Sequence, residues 1–249
     1  MQRYFVQLSF KGTHYHGWQI QLNAHSLQEV IEEAFSTLLR EEIAVVGAGR
    51  TDAGVHASFF VLHFDSEKDG VDPEKLVFRL NRFLPPDIAV QKIWKVPPYA
   101  HARFGAVSRT YQYYISRRKD PFRTETSYSY TGFLDVEKMN AAAELLLEYS
   151  DFTSFSRLHT DVKTNRCKIY KAFWSREKDQ LVFTIQADRF LRNMVRAIVG
   201  TLLDVGKGKR TVTGFREIIG QKDRSAAGAS APARGLFLVD VEYPEGLME

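Results

Sequence analysis

Two apolar, strand-like runs are joined by the sequence Gly47-Ala48-Gly49-Arg50-Thr51-Asp52-Ala53-Gly54-Val55-His56-Ala57. Its three glycines allow the backbone to approach a ligand closely and to adopt conformations that other residues avoid. An aspartate and an arginine therefore lie in a loop that its rigid flanks can aim into a cleft. This arrangement is typical of an active-site loop.

Two other functions of glycine-rich loops do not fit these residues. A dinucleotide-binding fingerprint needs its third glycine at the opening of a helix, but the chain continues after Gly54 as a strand-like run, Val55 to Phe64. A phosphate-binding loop needs Gly-Lys followed by Ser or Thr, and the sequence does not contain it.

The composition is that of an ordinary globular protein. The 249 residues, 44% hydrophobic and 26% charged, suffice for a substantial core in one large domain or two average ones. No apolar run follows a basic start and no stretch of about twenty apolar residues occurs, so we expect a soluble, cytoplasmic protein that does not enter a membrane. The single cysteine, Cys167, cannot form an internal disulfide, in keeping with a reducing compartment.

Positive charge is concentrated in three places. Lys and Arg total 34 against 30 Asp and Glu, which gives a net charge of +4 and a pI of about 9.0. The basic clusters are Ser116-Arg117-Arg118-Lys119, Arg189 with Arg192 and Arg196, and Gly206-Lys207-Gly208-Lys209-Arg210. Any one cluster could be solvated surface, whereas the three together favour a nucleic acid partner.

The first half of the chain predicts the order strand, helix, strand, strand, helix, strand. The first helix opens with a capping box, Ser26 and Glu29, and the second opens at Asp72-Pro73, has an apolar face that includes Phe83, and stops before Pro85-Pro86. The strands are expected at Arg3 to Phe10, Ile43 to Val46, Val55 to Phe64 and Ile88 to Val96. This order is the split β-α-β arrangement of ferredoxin-like folds.

Pro97-Pro98 marks a predicted boundary between an N-terminal domain, residues 1–98, that carries the catalytic loop and a C-terminal domain, residues 99–249. The second half predicts strands at Ala106 to Arg117, Thr164 to Arg176, Gln180 to Ala187 and Leu236 to Tyr243, and helices at Asp135 to Tyr149, Phe190 to Val205 and Thr213 to Ile219. Because this repeats the first topology, we expect an α+β fold. It would have two ferredoxin-like halves, antiparallel sheets packed by helices on one side, and an active-site cleft between the halves.

Asp52 is the first candidate for chemistry. It could be a turn aspartate that bonds its own backbone. However, a guanidinium near a carboxylate, here Arg50, favours the ionised form that acts as a nucleophile or base. A metal site is not favoured, because the closest histidine pair, His14 and His16, lacks nearby cysteine or carboxylate at a suitable spacing.

The sequence Arg109 to Tyr114 is a second candidate. Period-two alternation puts Arg109, Tyr111 and Tyr113 on one face of the predicted strand. Such a face could pack in the core, or it could stack a base and hold its phosphate. The residues alone leave both alternatives open. The predicted helix from Phe190 would likewise place Arg189, Arg192 and Arg196 on one face, either solvated or in contact with nucleic acid.

Six motifs occur in the order seen in one known family. They are His16-Gly17-Trp18-Gln19, Gly49 to Ala57, His101-Ala102-Arg103-Phe104, Arg109 to Tyr114, Phe190 to Arg196, and Ala231 to Leu236. Over nearly the whole chain the sequence resembles the bacterial tRNA pseudouridine synthase A (TruA) family. Two departures are Ala100, where the family often has Phe, and Thr110, where a basic residue is common, and they would alter RNA contacts rather than catalysis.

The resemblance implies an isomerase that converts uridine to pseudouridine at positions 38, 39 and 40 of the tRNA anticodon stem-loop, after the target base is flipped out. Asp52 matches the catalytic aspartate, Arg50 the arginine of the same loop, and Tyr111 the tyrosine that stacks on the uracil. Arg196 matches the arginine that pairs with the aspartate, and Leu236 matches an apolar wall of the pocket. The resemblance also implies a homodimer that binds one tRNA across both subunits and needs no cofactor.

Two alternative functions are an RNA-binding module without catalysis and a nucleotide-binding enzyme of another kind. A module of the RRM type would carry a Lys/Arg-Gly-Phe/Tyr signature on a central strand, and this sequence does not.

Overall fold

The structure, a computed structural model, describes residues 1–157 and 164–248. The chain packs as two compact units: unit 1 comprises Met1–Val107 and Leu238–Glu249, and unit 2 comprises Ser108–Phe237. Both units combine helices with mostly antiparallel strands, which confirms the α+β class predicted from the sequence. Within the described ranges, no helix has the length and apolar character that crossing a membrane requires.

Unit 1 has the split β-α-β arrangement expected for the first half. Its elements are β1 (Gln2–Phe10), α1 (Leu27–Leu39), β2 (Val45–Gly47), β3 (His56–Ser66), α2 (Pro73–Phe83) and β4 (Ile88–Val96). The strands lie in the order β4-β1-β3-β2, and every neighbouring pair is antiparallel.

Both helices of unit 1 begin at the side-chain caps that the sequence predicts. The Ser26 hydroxyl accepts a hydrogen bond from the Glu29 N–H at 3.3 Å, and the Glu29 carboxylate accepts one from the Ser26 N–H at 3.5 Å. Asp72 accepts from the Lys75 N–H at 3.1 Å, with Pro73 in the first turn. The starts of α1 and α2 are therefore confirmed.

One residue of the predicted apolar face of α2 is placed differently. Phe83 is 47% exposed, whereas Leu76 and Leu80 are buried. The helix ends at Phe83. The C-cap residue, Leu84, is buried instead of Phe83, with 7% of its surface exposed.

The remaining elements all begin in unit 2. They are β5 (Ser108–Ser116), β6 (Tyr128–Ser129), α3 (Val136–Glu144), β7 (Ile169–Glu177), β8 (Gln180–Ala187), α4 (Met194–Gly206), α5 (Val212–Gln221) and β9 (Leu236–Glu242). Strand β8 pairs antiparallel with both β5 and β7, and β6 adds a short parallel pairing at the end of β5. The division into units falls within β9, after residue 237.

Residues 99–107 and 238–249, which the sequence prediction assigned to the second domain, pack in unit 1. The Tyr243 hydroxyl donates a hydrogen bond to the Ala102 carbonyl at 2.5 Å, which ties the chain end to this segment. The boundary at Pro97-Pro98 is inferred from local composition. Local composition does not show that the segment from Leu238 onward packs against the first part of the chain. The functional division into two domains stays a prediction.

Helix α4 begins later than the predicted start at Phe190. It starts at Met194, after Asn193, whose φ of 63° lies in the left-handed region. The preceding carbonyl, that of Arg192, accepts a hydrogen bond from the Arg157 N–H at 3.1 Å. The apolar residues before Met194 continue the three-and-four spacing of the helix, although their backbone is not helical.

The prediction that Arg189, Arg192 and Arg196 share one helix face is therefore wrong. Arg189 and Arg192 precede α4, and Arg196 lies in its first turn.

Two further boundaries differ from the sequence prediction. Helix α3 ends at Glu144 and tightens into a 3-10 turn, Leu145–Glu148. Strand β7 begins at Ile169 rather than Thr164, because the Cys167 N–H donates to the Ser150 carbonyl at 2.9 Å and holds this part of the chain outside the sheet.

Candidate active site

The predicted catalytic loop connects β2 to β3, the two strands of a hairpin in unit 1. Gly47 pairs with Leu62, and the Ala48 N–H donates to the Val61 carbonyl at 2.7 Å. The loop therefore emerges from a closed ladder, so its base is fixed by the sheet.

The segment that follows β1, residues 12–18, braces the backbone of this loop. The Trp18 N–H donates to the Thr51 carbonyl at 3.2 Å, and the Gly54 N–H donates to the Tyr15 carbonyl at 3.3 Å. These two bonds lie on either side of Asp52 in the sequence, so the backbone that carries the aspartate is held from both directions.

Glycines make this close approach possible. A Cβ at Gly12 would lie 2.0 Å from the Val55 carbonyl oxygen, and a Cβ at Gly17, whose φ is +94°, would lie 2.4 Å from the Thr51 oxygen. The Gly12 N–H also donates to Nδ1 of the buried His56 at 3.0 Å. Larger residues at either glycine would separate the brace from the loop.

An aromatic pair supports the base of the loop. Trp18 is 3% exposed, and its ring lies 4.3 Å from that of Phe60, centroid to centroid. A Cβ at Gly47 would lie 2.6 Å from the Trp18 ring. The sequence reasoning did not assign this supporting role to residues 12–18, although the motif His16-Gly17-Trp18-Gln19 was a signal for it.

Asp52 itself is half-buried and Arg50 is exposed. The Asp52 carbonyl accepts a hydrogen bond from the Val55 N–H at 3.1 Å, and Gly54 has a φ of +76°. Residues 52–55 therefore form a β-turn that needs glycine at its third position and directs the chain into β3. The aspartate therefore lies in a turn, as the alternative interpretation holds, and the residue is only half-buried there.

In unit 2 the two tyrosines of the β5 face differ in burial. Tyr113 is fully buried, its hydroxyl donates to the Pro232 carbonyl at 2.9 Å, and burial raises the pKa of this phenol. Tyr111 is only half-buried, and its ring meets Phe190 edge-on at 5.1 Å. Tyr113 is a core residue, whereas Tyr111 has a fixed ring with accessible surface.

Arg196 and Leu236 lie on segments adjoining this strand. The Arg196 Nε donates to the Ala231 carbonyl at 2.8 Å, and the Ala231 N–H donates to the Arg196 carbonyl at 2.9 Å. Leu236, at 5% exposure, follows Gly235, where a Cβ would lie 2.7 Å from the Tyr113 ring. Unit 2 thus assembles β5, the start of α4 and residues 231–236 as neighbours.

The five predicted site residues are distributed over both units. Asp52 and Arg50 lie in unit 1, and Tyr111, Arg196 and Leu236 lie in unit 2. Their roles stay predictions, including the pairing of Arg196 with Asp52.

Comparisons with known proteins agree with the motifs. A family model described as tRNA pseudouridine synthase matches residues 8–105 and 142–244. The tRNA pseudouridine synthase A of Bacteroides fragilis is 59% identical over 250 residues, which cover 100% of this chain and 99% of that protein. The protein of the same name from Porphyromonas gingivalis is 54% identical over 250 residues, 99% of each chain. That from Legionella pneumophila is 38% identical over 252 residues, 99% of this chain and 95% of that protein.

These matches show that the protein is an isomerase that acts on tRNA. The chain belongs to the bacterial tRNA pseudouridine synthase A family, which confirms the resemblance carried by the six motifs.

Proposed function

We propose that this chain converts uridine to pseudouridine at positions 38, 39 and 40 of the tRNA anticodon stem-loop, with Asp52 as its catalytic residue. The observation that carries the assignment of Asp52 is the braced loop, in which hydrogen bonds at Thr51 and Gly54 hold the backbone on both sides of a half-buried aspartate. Such fixed positioning is what a group needs to act on one atom of a substrate.

The reaction rearranges the substrate without an outside electron donor or group donor. The bond from N1 of uracil to C1′ of ribose breaks, the uracil turns, and C5 forms a new bond to C1′. C5 releases its proton and N1 gains one, so the atoms balance. Asp52 either attacks the substrate covalently or removes a sugar proton to give a glycal, and both routes remain open.

The target uridine must leave its stack before any group can reach it. Flipping costs a few kcal/mol, and a tyrosine ring that stacks on the base offsets part of that cost. Tyr111 is suited to this because Phe190 fixes its ring edge-on while part of its surface stays accessible. In this proposal Leu236 forms an apolar wall, Arg196 pairs with Asp52, and Arg50 contacts the RNA.

We also propose that the enzyme works as a cytoplasmic homodimer on tRNA. The support is the resemblance of the six motifs, and sedimentation of the purified protein with and without tRNA measures the assembly.

The decisive experiment uses tRNA tritiated at C5 of uracil, because isomerisation must release this tritium and binding alone cannot. Asp52→Asn should lower the rate of release by about 10³-fold or more while tRNA affinity stays near that of the parent. The matched control is Asp69→Asn, an exposed aspartate of the same unit, which should release tritium at the parental rate. Full activity of Asp52→Asn would refute the proposal, and a loss of tRNA binding in that variant would make Asp52 structural.

A second pair of variants separates the two tyrosines of β5. Tyr111→Phe keeps the stacking ring and should slow release by on the order of 10²-fold if the hydroxyl transfers a proton. Tyr113→Phe loses the bond to Pro232 and should lower the free energy of unfolding by about 1 kcal/mol with little change in rate. Equal rates for Tyr111→Phe and the parent would restrict Tyr111 to stacking.

A further inference from the structure

Two of the basic clusters found in the sequence meet on one aromatic ring in unit 2. The ammonium of Lys207 lies 4.6 Å from the centroid of Tyr130, and the guanidinium carbon of Arg117 lies 5.8 Å from it. Tyr128 stacks beside Tyr130 at 6.2 Å. Residues that are far apart in the sequence therefore form one cationic and aromatic surface.

Arg117 is held in place by the turn that follows β6. Its two terminal nitrogens donate to the carbonyls of Tyr130 at 2.6 Å and Gly132 at 2.7 Å. A Cβ at Gly132 would lie 2.7 Å from the Tyr130 hydroxyl, so the turn fits closely around this tyrosine. The guanidinium is thus ordered before any ligand arrives, which lowers the entropic cost of binding.

A cavity of about 290 Å³ opens beside this surface, at the hairpin of β7 and β8. Among the residues that the structure describes, its charged lining consists of Arg117, Arg176 and Lys178 and includes no carboxylate. Leu134 and Leu181, both buried, form an apolar floor, and Phe133 stands at the edge with 80% of its surface exposed.

The nearby carboxylates leave these cations available to a ligand. Arg176 lies 3.9 Å from Glu137, but both side chains are largely exposed, and such pairs contribute little. Asp179 lies 2.7 Å from Arg118, which is not part of the lining. A phosphate in this cavity would therefore have three cationic residues in the lining around it.

Two internal measures give the distance from the cationic and aromatic surface to the proposed target site. Along β5, the six residues from Tyr111 to Arg117 span about 20 Å. Along α4, the eleven residues from Arg196 to Lys207 span about 16 Å. The surface that adjoins the cavity therefore lies about 16 to 20 Å from the proposed target site.

We propose that this cavity binds a backbone phosphate of the tRNA about 20 Å from the target uridine, with Phe133 packed against the adjacent ribose. The inference rests on the proposed function and adds a second RNA-binding site to it. Arg117 supplies a fixed donor, Arg176 supplies charge from the end of β7, and Lys178 supplies charge from the hairpin turn.

The test compares two double variants of the full chain that remove the same charge. Arg176→Gln with Lys178→Gln should raise KM for full-length tRNA on the order of tenfold at about 0.1 M salt, and should lower the salt slope of log KM by up to about two. Tritium release at saturating tRNA should be unchanged. The control, Lys168→Gln with Lys171→Gln beside the same strand but outside the cavity, should change KM less than about twofold.

A truncated RNA makes the test specific to position. With a hairpin trimmed to about three base pairs beyond the target uridine, the cavity variant and the parent should have the same KM, because the phosphate is missing. An unchanged KM and salt slope on full-length tRNA, an equal loss in the control, or an equal loss on the trimmed hairpin would each overturn the inference. If the parent itself releases no tritium, the proposed function fails instead.

Discussion

The catalytic loop of unit 1 and the entrance to α4 in unit 2 are held by different kinds of contact. The loop is braced by backbone hydrogen bonds and by glycines that leave no space for a Cβ. At the entrance to α4, side chains add to the backbone hydrogen bonds: Asn193 donates to the Ser230 hydroxyl at 2.7 Å, and Arg196 donates to the Ala231 carbonyl at 2.8 Å. Added atoms should therefore disrupt the loop abruptly, whereas lost polar groups should weaken the entrance by degrees.

Unit 1 adds a second feature, the use of buried imidazoles as acceptors for backbone N–H groups. His56 accepts from Gly12 at 3.0 Å, and His63 accepts from Ala102 at 3.1 Å, in both cases through Nδ1. An imidazole can accept through a ring nitrogen only while that nitrogen carries no proton. The bond at His63 should therefore depend on pH, unlike the amide and guanidinium contacts at the entrance to α4.

The largest expected effect is that of Gly12→Ala. The new Cβ would lie 2.0 Å from the Val55 carbonyl oxygen, a backbone atom that cannot move without the loop. We expect the free energy of unfolding to fall by about 3 kcal/mol or more, and tritium release to be lost with it. Urea unfolding and the release assay measure the two effects.

The matched control is Gly49→Ala in the same loop. A Cβ at Gly49 would have no heavy atom within 4 Å, so the free energy of unfolding should change by less than about 0.5 kcal/mol. If both alanine variants were equally stable, the brace would not hold the loop in the way described.

The contrast between these glycines shows where sequence reasoning succeeds and where it stops. The capping residues Ser26 and Asp72 predict the helix starts because their partners lie three residues away. Strand β4 has the predicted bounds, Ile88–Val96, since its limits follow from local apolar pattern and proline. Gly12 and Gly49 look alike in the sequence, and only a contact with Val55, far along the chain, separates them.

The same limit applies to the candidate site. The positions of Asp52 in a loop and of Tyr111 on a strand could be predicted from local residues. The cavity at Arg117 could not, because its lining comes from the end of β5, the turn after β6 and the β7–β8 hairpin. The spacing of apolar residues also does not reveal the left-handed conformation of Asn193. The sequence therefore predicts a start of α4 that is too early.

The second effect in size is the pH dependence of unit 1 stability through His63, which is 4% exposed. Burial, Arg3 and His101 lower its pKa from 6.5 to about 4, and Asp65 opposes them. Because the unfolded chain takes up this proton near pH 6.5 and the folded chain near pH 4, the stabilisation is complete above 6.5 and is lost as the pH falls towards 4. The loss should be about 3 kcal/mol, measured by urea unfolding across this range.

Comparison with His63→Asn isolates this contribution from carboxylates that titrate in the same range. Asparagine keeps an acceptor near the position of Nδ1 for the Ala102 N–H but does not titrate. The variant should therefore show a flatter decline between pH 6.5 and 4 than the parent. Parallel curves for the two proteins would mean that protonation of His63 does not oppose folding.

The smallest effect expected is at Asn193, where the entrance to α4 depends on both a backbone conformation and a side-chain contact. Asn193→Ala loses the bond to Ser230 and puts alanine, which tolerates the left-handed region less well than asparagine, at a φ of 63°, so we expect a loss of about 2 kcal/mol in the free energy of unfolding. Asn193→Gly loses the same bond but accepts the left-handed conformation, so its loss should be about 1 kcal/mol. If the entrance is held by separable side-chain contacts, the tritium release of the two variants should fall in the same graded order. An abrupt loss in both would instead show that this region, like the catalytic loop, is fixed as one backbone arrangement.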